Sequence, residues 1–431
     1  MLRKSLRQFS KGTPVKLDNF AKYLIIGAGD AGNSMSKLIR SKGLVDNAHE
    51  VKFIDEKNMY YYQSGQTKVA AGINELDEIR ISNRWVLPFR SVVIESLATK
   101  VVPEENYVEL KDGKKVGYSN LIIASGIQVN LDSVKGLKEA LEDPEVPVGS
   151  IYVPKYAAKF SYLRENFKGG NAVFTQPGTA IKCQGATQKI MYTSAQTWKG
   201  KNAKVQFFAG GERYLGPDYF NQELAKVAKS YNIETNFKHN LVEVKGKERI
   251  AIFNTLDGLK EVKFDILQAS PSQFPAPFIA QSGLAGPLGF VDVDMYTLRH
   301  KKYNNIWALG DCAELPTSKT LSAVNTQIHV LADQLAKAAN KKHSDLLYNG
   351  YTACPVMVSK KKVLLCEFGY NSELMPTFFQ TAKPSYLSGF LYINLFRWTS
   401  LLGLNHHLYP IACFVRKFSK YLGTPPDKKN K

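Results

Sequence analysis

A glycine-rich turn that follows an apolar segment constrains the fold of this chain more than any other feature of its sequence. Residues 23–26 form a short apolar run, residues 27–32 read G-x-G-x-x-G, and residues 33–40 have a helix-like pattern. A strand, a tight glycine turn and a helix in this order form a cradle that holds the pyrophosphate of a dinucleotide at a helix N-terminus. The sequence therefore predicts an α/β domain of the Rossmann type.

The residues of this turn have separate expected roles. Gly27 permits the tight turn, Gly29 lets the backbone approach the pyrophosphate, and Gly32 lets the helix pack closely on the strand. Ala28 and Ala31 lie between these glycines and belong to the same predicted cofactor site.

A carboxylate stands at the spacing that such a cradle requires. A second apolar run, residues 51–54, ends in Asp55. An acidic residue about 20 residues beyond the glycines accepts hydrogen bonds from the ribose of the adenosine. The alternative is an ordinary glycine turn with a surface aspartate, but the order of strand, turn, helix, strand and acid favours the cofactor site.

The composition excludes several classes of protein. The 431 residues are 44% hydrophobic, so the chain can bury a large core and form two or three domains. Five cysteines without a C-x-x-C pair argue against a disulfide framework and a four-cysteine zinc site. A net charge of +19 suggests a polyanionic partner. Since no nucleic-acid-reading module is recognisable, we expect an anionic membrane surface and no nucleic acid.

The N-terminal segment, residues 1–18, has the pattern of a mitochondrial targeting sequence. It carries Arg3, Lys4 and Arg7 among other basic residues, has no acidic residue before Asp18, and places apolar residues at roughly helical spacing. The alternative is a disordered basic arm.

A second strand–turn–helix unit begins near residue 171 but lacks the glycine cradle. Its strand, residues 172–175, leads into residues 176–185, which contain no G-x-G-x-x-G. Pro177 in this turn removes an N–H that a pyrophosphate would need. We therefore expect a second Rossmann-like domain that does not bind NAD(P)H, with Cys183 in its turn. Strands at 203–209 and 265–269 and a helix at 221–231 complete the predicted domain.

Two further segments fit the flavin half of an FAD site. A buried strand ends in Gly310 and Asp311, whose carboxylate would accept from a ribitol hydroxyl. A small-residue turn that ends in Gly126 would return the chain toward the flavin. The turn that ends in Gly126 is weak evidence on its own.

A lysine follows the Gly310–Asp311 turn. Lys319 would place a cation beside the electron-rich N1–C2=O edge of a reduced flavin, and Thr317 or Ser318 would cap the next helix. The alternative is a capped surface helix with a solvated lysine.

The C-terminal part has the pattern of a membrane-docking region. Residues 386–404 are apolar and aromatic but contain Arg397, and residues 411–422 place apolar and basic side chains on opposite faces of a helix. We expect both segments to lie at a membrane interface rather than to cross the membrane. The alternative is a C-terminal core helix. Residues 424–431 are predicted to be a disordered tail.

Several motifs together resemble the mitochondrial sulfide:quinone oxidoreductase family. The most specific are K-C-x-G-A-x-Q-K-I-M-Y at residues 182–192 and G-Y-T-x-C-P at residues 350–355. The resemblance covers residues 20–420 and implies an α/β fold with two Rossmann-like domains and bound FAD. Since no cysteine lies in the residues expected to touch the methyl edge of the flavin ring, we expect the FAD to be held non-covalently. The implied parts are an FAD domain at 19–140 and 285–345, a second domain without a phosphate loop at 141–284, and a C-terminal membrane-docking region at 346–423.

The resemblance also implies the reaction. Cys183 and Cys354, both in segments that read as turns, would form a pair that accepts hydrogen sulfide and leaves one cysteine as a persulfide and the other as a thiolate. By the family pattern Cys183 faces the flavin, and Cys354 hands the sulfane sulfur to a small thiol or sulfite. Two electrons would pass through FAD to ubiquinone. The resemblance implies a peripheral protein on the matrix side of the mitochondrial inner membrane.

Other cysteines and two competing functions remain. Cys312, Cys366 and Cys413 are expected to be structural. Lys189 either stabilises anionic sulfur or reduced quinone, or is a solvated helix lysine. A type II NADH:quinone oxidoreductase shares the fold and the flavin, but it needs a phosphate loop in its second domain. A flavin-binding membrane protein without turnover is opposed by the cysteine pair.

Overall fold

The computed structural model describes residues 16–377, 382–402, 404 and 407 and has the predicted mixed α/β architecture. Most of the targeting segment, the helix predicted at 411–422, Cys413 and the tail at 424–431 lie outside the described residues.

The described elements alternate between strands and helices over most of the chain. The strands are β1 (Asn19–Ile26), β2 (Val51–Ile54), β3 (Met59–Tyr61), β4 (Arg80–Ser82), β5 (Val92–Ile94), β6 (Ala98–Val102), β7 (Tyr107–Leu110), β8 (Lys115–Ile123), β9 (Gln128–Val129), β10 (Val148–Gly149), β11 (Gly170–Gln176), β12 (Ala203–Ala209), β13 (Glu234–Phe237), β14 (Asn240–Lys245), β15 (Ile250–Thr255), β16 (Gly258–Lys263), β17 (Ile266–Gln268), β18 (Gln273–Phe274), β19 (Ile306–Ala308), β20 (Thr352–Met357) and β21 (Val363–Phe368). The helices are α1 (Asp30–Ser41), α2 (Gln66–Ala70), α3 (Asn83–Val86), α4 (Leu137–Glu142), α5 (Pro154–Asn166), α6 (Ala186–Thr197), α7 (Asp218–Ser230), α8 (Phe278–Gln281), α9 (Leu321–Ala339), α10 (Tyr386–Phe390) and α11 (Phe396–Leu401).

The first sheet brings the segments of the predicted cofactor site to one edge. β1 lies between β2 and β8, β5 extends the sheet beyond β2, and β19 pairs with β8, all in parallel. The register aligns Ile26 with both Ile54 and Ile123, and Ile123 with Ala308. The four strands therefore end at the same level, and the turns that follow them converge, as at the ligand-binding edge of a doubly wound sheet.

The second sheet is entirely parallel and holds the second strand–turn–helix unit. Its order is β10-β17-β11-β12-β13, and the antiparallel meander β14–β16 follows β13 in the chain. The strand predicted at 203–209 is confirmed as β12, and the helix predicted at 221–231 begins earlier, at Asp218. Buried aromatic side chains, among them Phe174 and Trp198, pack between β11 and the helices that cover the sheet.

Two local predictions in the C-terminal third were wrong. Cys354 lies inside strand β20, directly opposite Cys366 of β21, and not in a turn. The turn is confined to Gly350, which has a φ of +79°, because the chain becomes extended as soon as it can pair with β21. The N-cap of α9 is Thr320, which accepts from the backbone N–H of Ala323, since the Thr317 hydroxyl instead donates to the carbonyl oxygen of Gly350.

Residues 386–401 form one continuous helical segment. α10 and α11 are joined without a break by a π-helical turn, Leu391–Leu395. Among the residues that the structure describes, no helix combines the length and the apolar character needed to cross a membrane.

The packing around Trp198 gives a test of the second sheet. Its buried indole lies 4.5 Å from the ring centre of Phe167 and donates to the carbonyl oxygen of Arg164 at 2.9 Å. We expect Trp198→Ala to lower the free energy of unfolding by about 3–5 kcal/mol, because it leaves a large cavity. The measurement is urea unfolding followed by circular dichroism. Trp85→Ala is the matched control, since Trp85 is 68% exposed, and it should change stability by less than about 0.5 kcal/mol. Equal stability losses in the two variants would contradict this packing.

Candidate functional site

A cavity of about 1380 Å³ opens at the edge where the strands of the first sheet end. Typical ligand pockets hold roughly 300–1,000 Å³, so this cavity has room for an elongated cofactor together with substrates. All the cofactor residues predicted from sequence except Gly32 line this cavity. The lining residues among them are Gly27, Ala28, Gly29, Ala31, Asp55, Gly126, Gly310, Asp311 and Lys319.

The geometry of the glycine turn fits a pyrophosphate. Gly27 has a φ of +103°, a conformation that side chains disfavour, and a Cβ at Gly32 would overlap the carbonyl oxygen of Gly27. A Cβ at Gly29 would instead meet no atom of the described residues within 4 Å. Gly29 is also the N-cap of α1 and supplies no side-chain cap. The open N–H groups of α1 therefore face space that an anionic group can fill.

The charged residues of the cavity agree with the same cofactor. The Asp55 carboxylate accepts from the backbone N–H groups of Ala28 (2.7 Å) and Lys57 (2.8 Å), which fixes it at the end of β2. The Lys319 ammonium donates to the carbonyl oxygen of Asp311 at 2.7 Å. Burial raises the pKa of the Asp311 carboxyl and lowers the pKa of Lys319. The residues present fit FAD.

The structure brings Cys183 and Cys354 together although they are 171 residues apart. Their Sγ atoms lie 3.1 Å from each other. Cys183 lines the cavity with a φ of +53°, and its N–H donates to the carbonyl oxygen of Lys319 at 2.8 Å. The Cys354 side chain is buried, and its sulfur accepts from the N–H of Gly185, the N-cap of α6, at 3.3 Å. A Cβ at Gly185 would lie 2.8 Å from that sulfur, so glycine allows this approach.

The surroundings of the pair separate the acidities of the two thiols. The hydrogen bond from Cys354, together with the Lys189 ammonium 3.3 Å away, lowers the pKa of Cys183 to about 6 although burial opposes the shift. The same hydrogen bond and burial raise the pKa of Cys354 well above its usual value. Burial disfavours the Lys189 ammonium, but Cys183, Tyr392 and Cys354 together outweigh burial and raise the pKa of Lys189. A thiolate on Cys183 and a thiol on Cys354 are thus the favoured state of the reduced pair.

Sequence analysis left the role of Lys189 open and did not single out Tyr392. Lys189 is 2% exposed and touches Cys183, so it is not a solvated helix lysine. The K-C-x-G-A-x-Q-K motif, which places Lys189 six residues after Cys183, was the sequence signal for this contact. Tyr392 contacts Lys189 at 3.4 Å from the distant C-terminal helix. No sequence motif marks it.

The other described cysteines lie apart from the Cys183–Cys354 pair or behind it. The Cys312 thiol is buried and donates to the carbonyl oxygens of Ile123 and Leu309, each at 3.3 Å. Cys366 is buried on β21 opposite Cys354, and burial raises its pKa well above the usual value. Neither lines the cavity among the described residues.

Comparison with known proteins identifies the family. The model of the pyridine nucleotide-disulphide oxidoreductase family matches residues 21–147. The mitochondrial sulfide:quinone oxidoreductase of Schizosaccharomyces pombe is 36% identical over 378 residues, which are 83% of this chain and 82% of the relative. The chain belongs to the sulfide:quinone oxidoreductase family. The mitochondrial sulfide:quinone oxidoreductase of Dictyostelium discoideum is 35% identical over 382 residues, 87% of this chain and 84% of the relative.

Solved structures share the fold over most of the chain. A chain in the mitochondrial ATP synthase of Tetrahymena thermophila superposes with a TM-score of 0.79 at 20% identity and covers 92% of this chain and 99% of its own length. The sulfide:quinone oxidoreductase of Aquifex aeolicus gives 0.73 at 16% identity, covering 89% of this chain and 92% of that one. At these identities the likeness concerns the fold.

Family membership settles the class of the protein. As a sulfide:quinone oxidoreductase it is an FAD-dependent oxidoreductase, and neither a type II NADH:quinone oxidoreductase nor a flavin-binding protein without turnover is favoured. Both relatives are named as mitochondrial, which supports a mitochondrial location for this protein.

The glycine turn allows cofactor binding and folding to be separated. We expect Gly29→Ala to fold with the parent's stability in the FAD-free form but to lose most of its FAD, because the new methyl group points into the cofactor's space. Gly32→Ala should instead lower the stability of the FAD-free protein by about 1–3 kcal/mol, since α1 must move away from the turn. Thermal unfolding and the FAD content per chain measure both effects. Full FAD content in Gly29→Ala would contradict the assigned cradle.

Proposed function

We propose that this protein oxidises hydrogen sulfide at the Cys183–Cys354 pair and passes two electrons through FAD to ubiquinone. The observation that carries the proposal is the 3.1 Å contact between the Cys354 sulfur and the sulfur of Cys183, which lines the same cavity as the glycine turn. Membership of the sulfide:quinone oxidoreductase family supports the same substrates.

The difference in pKa between Cys183 and Cys354 indicates which sulfur the hydrosulfide attacks. In the oxidised pair, hydrosulfide attacks the Cys354 sulfur, a new S–S bond forms, and the bond to Cys183 breaks. Cys183 leaves with the bonding electrons as a thiolate, because the thiol of lower pKa is the better leaving group. Its pKa of about 6, beside the Lys189 ammonium, supports this direction. Cys354 then carries the incoming sulfur as a persulfide.

Two transfers complete the cycle. A small thiol or sulfite attacks the outer sulfur of the persulfide and takes it away, which leaves Cys354 reduced. Renewed bonding between the two cysteines releases two electrons, and the FAD that Asp311 and Lys319 would hold would supply the two-electron acceptor between the cysteine pair and the quinone. Sulfide sulfur thereby loses two electrons and ubiquinone gains two.

The cavity residues would hold FAD in an extended form. We assign the pyrophosphate to the N–H groups at Gly29 and the start of α1, and the adenosine ribose to Asp55. The flavin end would lie beside Asp311 and Lys319, the residues next to Cys183 through the Lys319 carbonyl. Gly27, Ala28, Ala31, Gly32, Gly126 and Gly310 shape the backbone of this site.

The other end of the cavity suits a quinone. It is lined by Pro355 and Leu365 of the C-terminal hairpin and by Leu391, Leu395 and Phe396 of the C-terminal helix. These apolar side chains would accept a hydrophobic head group without exposing it to water. The quinone would reach the flavin region from the side of this helix.

The outer face of the C-terminal helix would dock on a membrane. Arg397, the charge that interrupts its apolar pattern, pairs with Glu78 at 2.8 Å and so faces the protein. The helix exposes apolar and aromatic side chains instead: Tyr386, Leu387, Phe390, Trp398 and Leu402. With the net charge of +19, we assign this face to an anionic membrane, on the matrix side of the mitochondrial inner membrane.

The cysteine assignment predicts which thiols are needed. Cys183→Ser and Cys354→Ser should each lower sulfide-dependent quinone reduction by more than about 10³-fold, because no sulfur bridge can form. Both variants should keep FAD. Cys312→Ala is the matched control and should keep turnover, since its thiol only donates to two backbone carbonyls. Appreciable activity in either serine variant would refute the pair.

Membrane docking can be tested on the exposed helix face. Phe390 and Trp398 are 63% and 54% exposed, and burying such a side chain gains about 1.5–3 kcal/mol. We expect the double variant Phe390→Ser, Trp398→Ser to bind anionic liposomes more than tenfold more weakly in a sedimentation assay. The control Leu256→Ser, Leu259→Ser removes similarly exposed apolar side chains at the β15–β16 hairpin. Equal binding by both double variants would exclude this docking face.

A further inference from the structure

Tyr392 of the C-terminal helix reaches the cysteine site from outside both sheets. Its side chain is 2% exposed, and its hydroxyl oxygen lies 3.4 Å from the Lys189 Nζ. The same Nζ donates to the Cys183 sulfur at 3.3 Å. One buried ammonium therefore connects the C-terminal helix with a reacting sulfur atom.

The direction of the hydrogen bonds at Tyr392 is fixed by its partners. The hydroxyl donates to the carbonyl oxygen of Ser64 at 3.3 Å, a group that can only accept. Lys189 as an ammonium can only donate. The Tyr392 oxygen is consequently an acceptor toward Lys189, with the Thr67 hydroxyl as a further neighbour at 3.3 Å.

A second buried lysine holds the turn that carries Tyr392. Lys68 of α2 donates to the carbonyl oxygens of Tyr392 (2.8 Å) and Ile393 (3.1 Å) at the π-helical turn. Its Nζ and that of Lys189 lie 4.8 and 5.1 Å from the centre of the Tyr392 ring. Cations at these distances from an aromatic ring are attracted to it. The ring, the hydroxyl and the backbone carbonyl of Tyr392 therefore each contact a polar or charged group.

We propose that Tyr392 is a positioning residue for the reaction, whose hydroxyl oxygen holds the Lys189 ammonium against Cys183 and so makes the C-terminal helix part of the sulfide site. The proposal rests on the function proposed for Cys183. Within the described residues, the acceptors at hydrogen-bond distance from the Lys189 Nζ are the Cys183 sulfur and the Tyr392 oxygen. Removing one of them leaves a buried ammonium poorly satisfied and weakens its hold on the thiolate.

On this proposal, the pKa of Cys183 depends on the C-terminal helix. Without the Tyr392 oxygen, the charged pair of Lys189 and Cys183 becomes less favourable, and the pKa of Cys183 rises. Several titratable groups face this pair from the surrounding elements. They are Cys354 and Cys366 of the hairpin, Tyr152 before α5, Tyr62 and Lys68 around α2, and Tyr392 itself.

The experiment measures the acidity of Cys183 in the FAD-containing enzyme. The cysteine pair is reduced with a phosphine, and iodoacetamide labelling of Cys183 is followed by mass spectrometry from about pH 4 to pH 9, the range that spans perturbed and ordinary thiols. We expect a midpoint near the pKa of about 6 for the parent. Tyr392→Phe, which keeps the ring, should raise the midpoint by about one pH unit and slow labelling at the parent midpoint several-fold.

Two further variants distinguish positioning from a general structural effect. Lys189→Met should raise the midpoint more than Tyr392→Phe, and Tyr392→Phe in the Lys189→Met background should add no shift. Tyr386→Phe is the matched control, because it makes the same change on the exposed face of the same helix, and its profile should coincide with the parent's.

The outcomes separate this proposal from the proposed function. A Tyr392→Phe profile equal to the parent's, or a further shift in the Lys189→Met background, would overturn the role of Tyr392. Labelling needs neither sulfide nor quinone, so it reports on Tyr392 even if the parent fails to reduce quinone with sulfide. That separate failure would refute the proposed function instead.

Discussion

The contact between Cys183 and Cys354 depends on more of the structure than any other single interaction. It joins the turn before α6 to the middle of strand β20, and it requires glycine at position 185 so that helix and strand can approach. The N-terminus of α6 points at the pair, and the carbonyl of Lys319 ties the Cys183 backbone to the cavity wall. Two sheets and a C-terminal hairpin must therefore be correctly placed before the sulfur atoms can meet.

Burying a lysine near this contact costs desolvation free energy. The hydrogen-bond partners of each buried lysine indicate its role. Lys68 and Lys189 are almost fully buried, and burial with repulsion from Arg397 and Lys189 lowers the pKa of Lys68 to about 7. An ammonium removed from water needs a counter-charge or several acceptors. Lys189 has an anionic sulfur, whereas Lys68 has two backbone carbonyls of the π-helical turn. The same positive region that stabilises sulfur thus fastens the C-terminal helix over the cavity.

The cofactor half of the site was largely predictable because it is local. Gly27, Gly29 and Gly32 form one turn, and their spacing alone predicts the strand, the turn and the helix N-terminus that the structure contains. Asp55 follows the neighbouring parallel strand, so its position at the same edge also follows from sequence. The half that contains the cysteine pair was less predictable. Cys354 lies in a strand rather than a turn, since pairing with β21 is a long-range interaction that local propensity does not report.

The sequence by itself determined the α/β fold and the glycine turn of the FAD site, and two motifs marked Cys183 and Cys354, whose sulfur atoms the structure brings together. Each of these is encoded in short segments whose spacing carries the chemistry. Only the tertiary structure decided that Lys189 is buried against Cys183, that the two thiols differ in acidity, and that Tyr392 contacts Lys189. Burial and distance between segments hundreds of residues apart set these properties, because a pKa depends on the desolvation and the charges that surround a group in space.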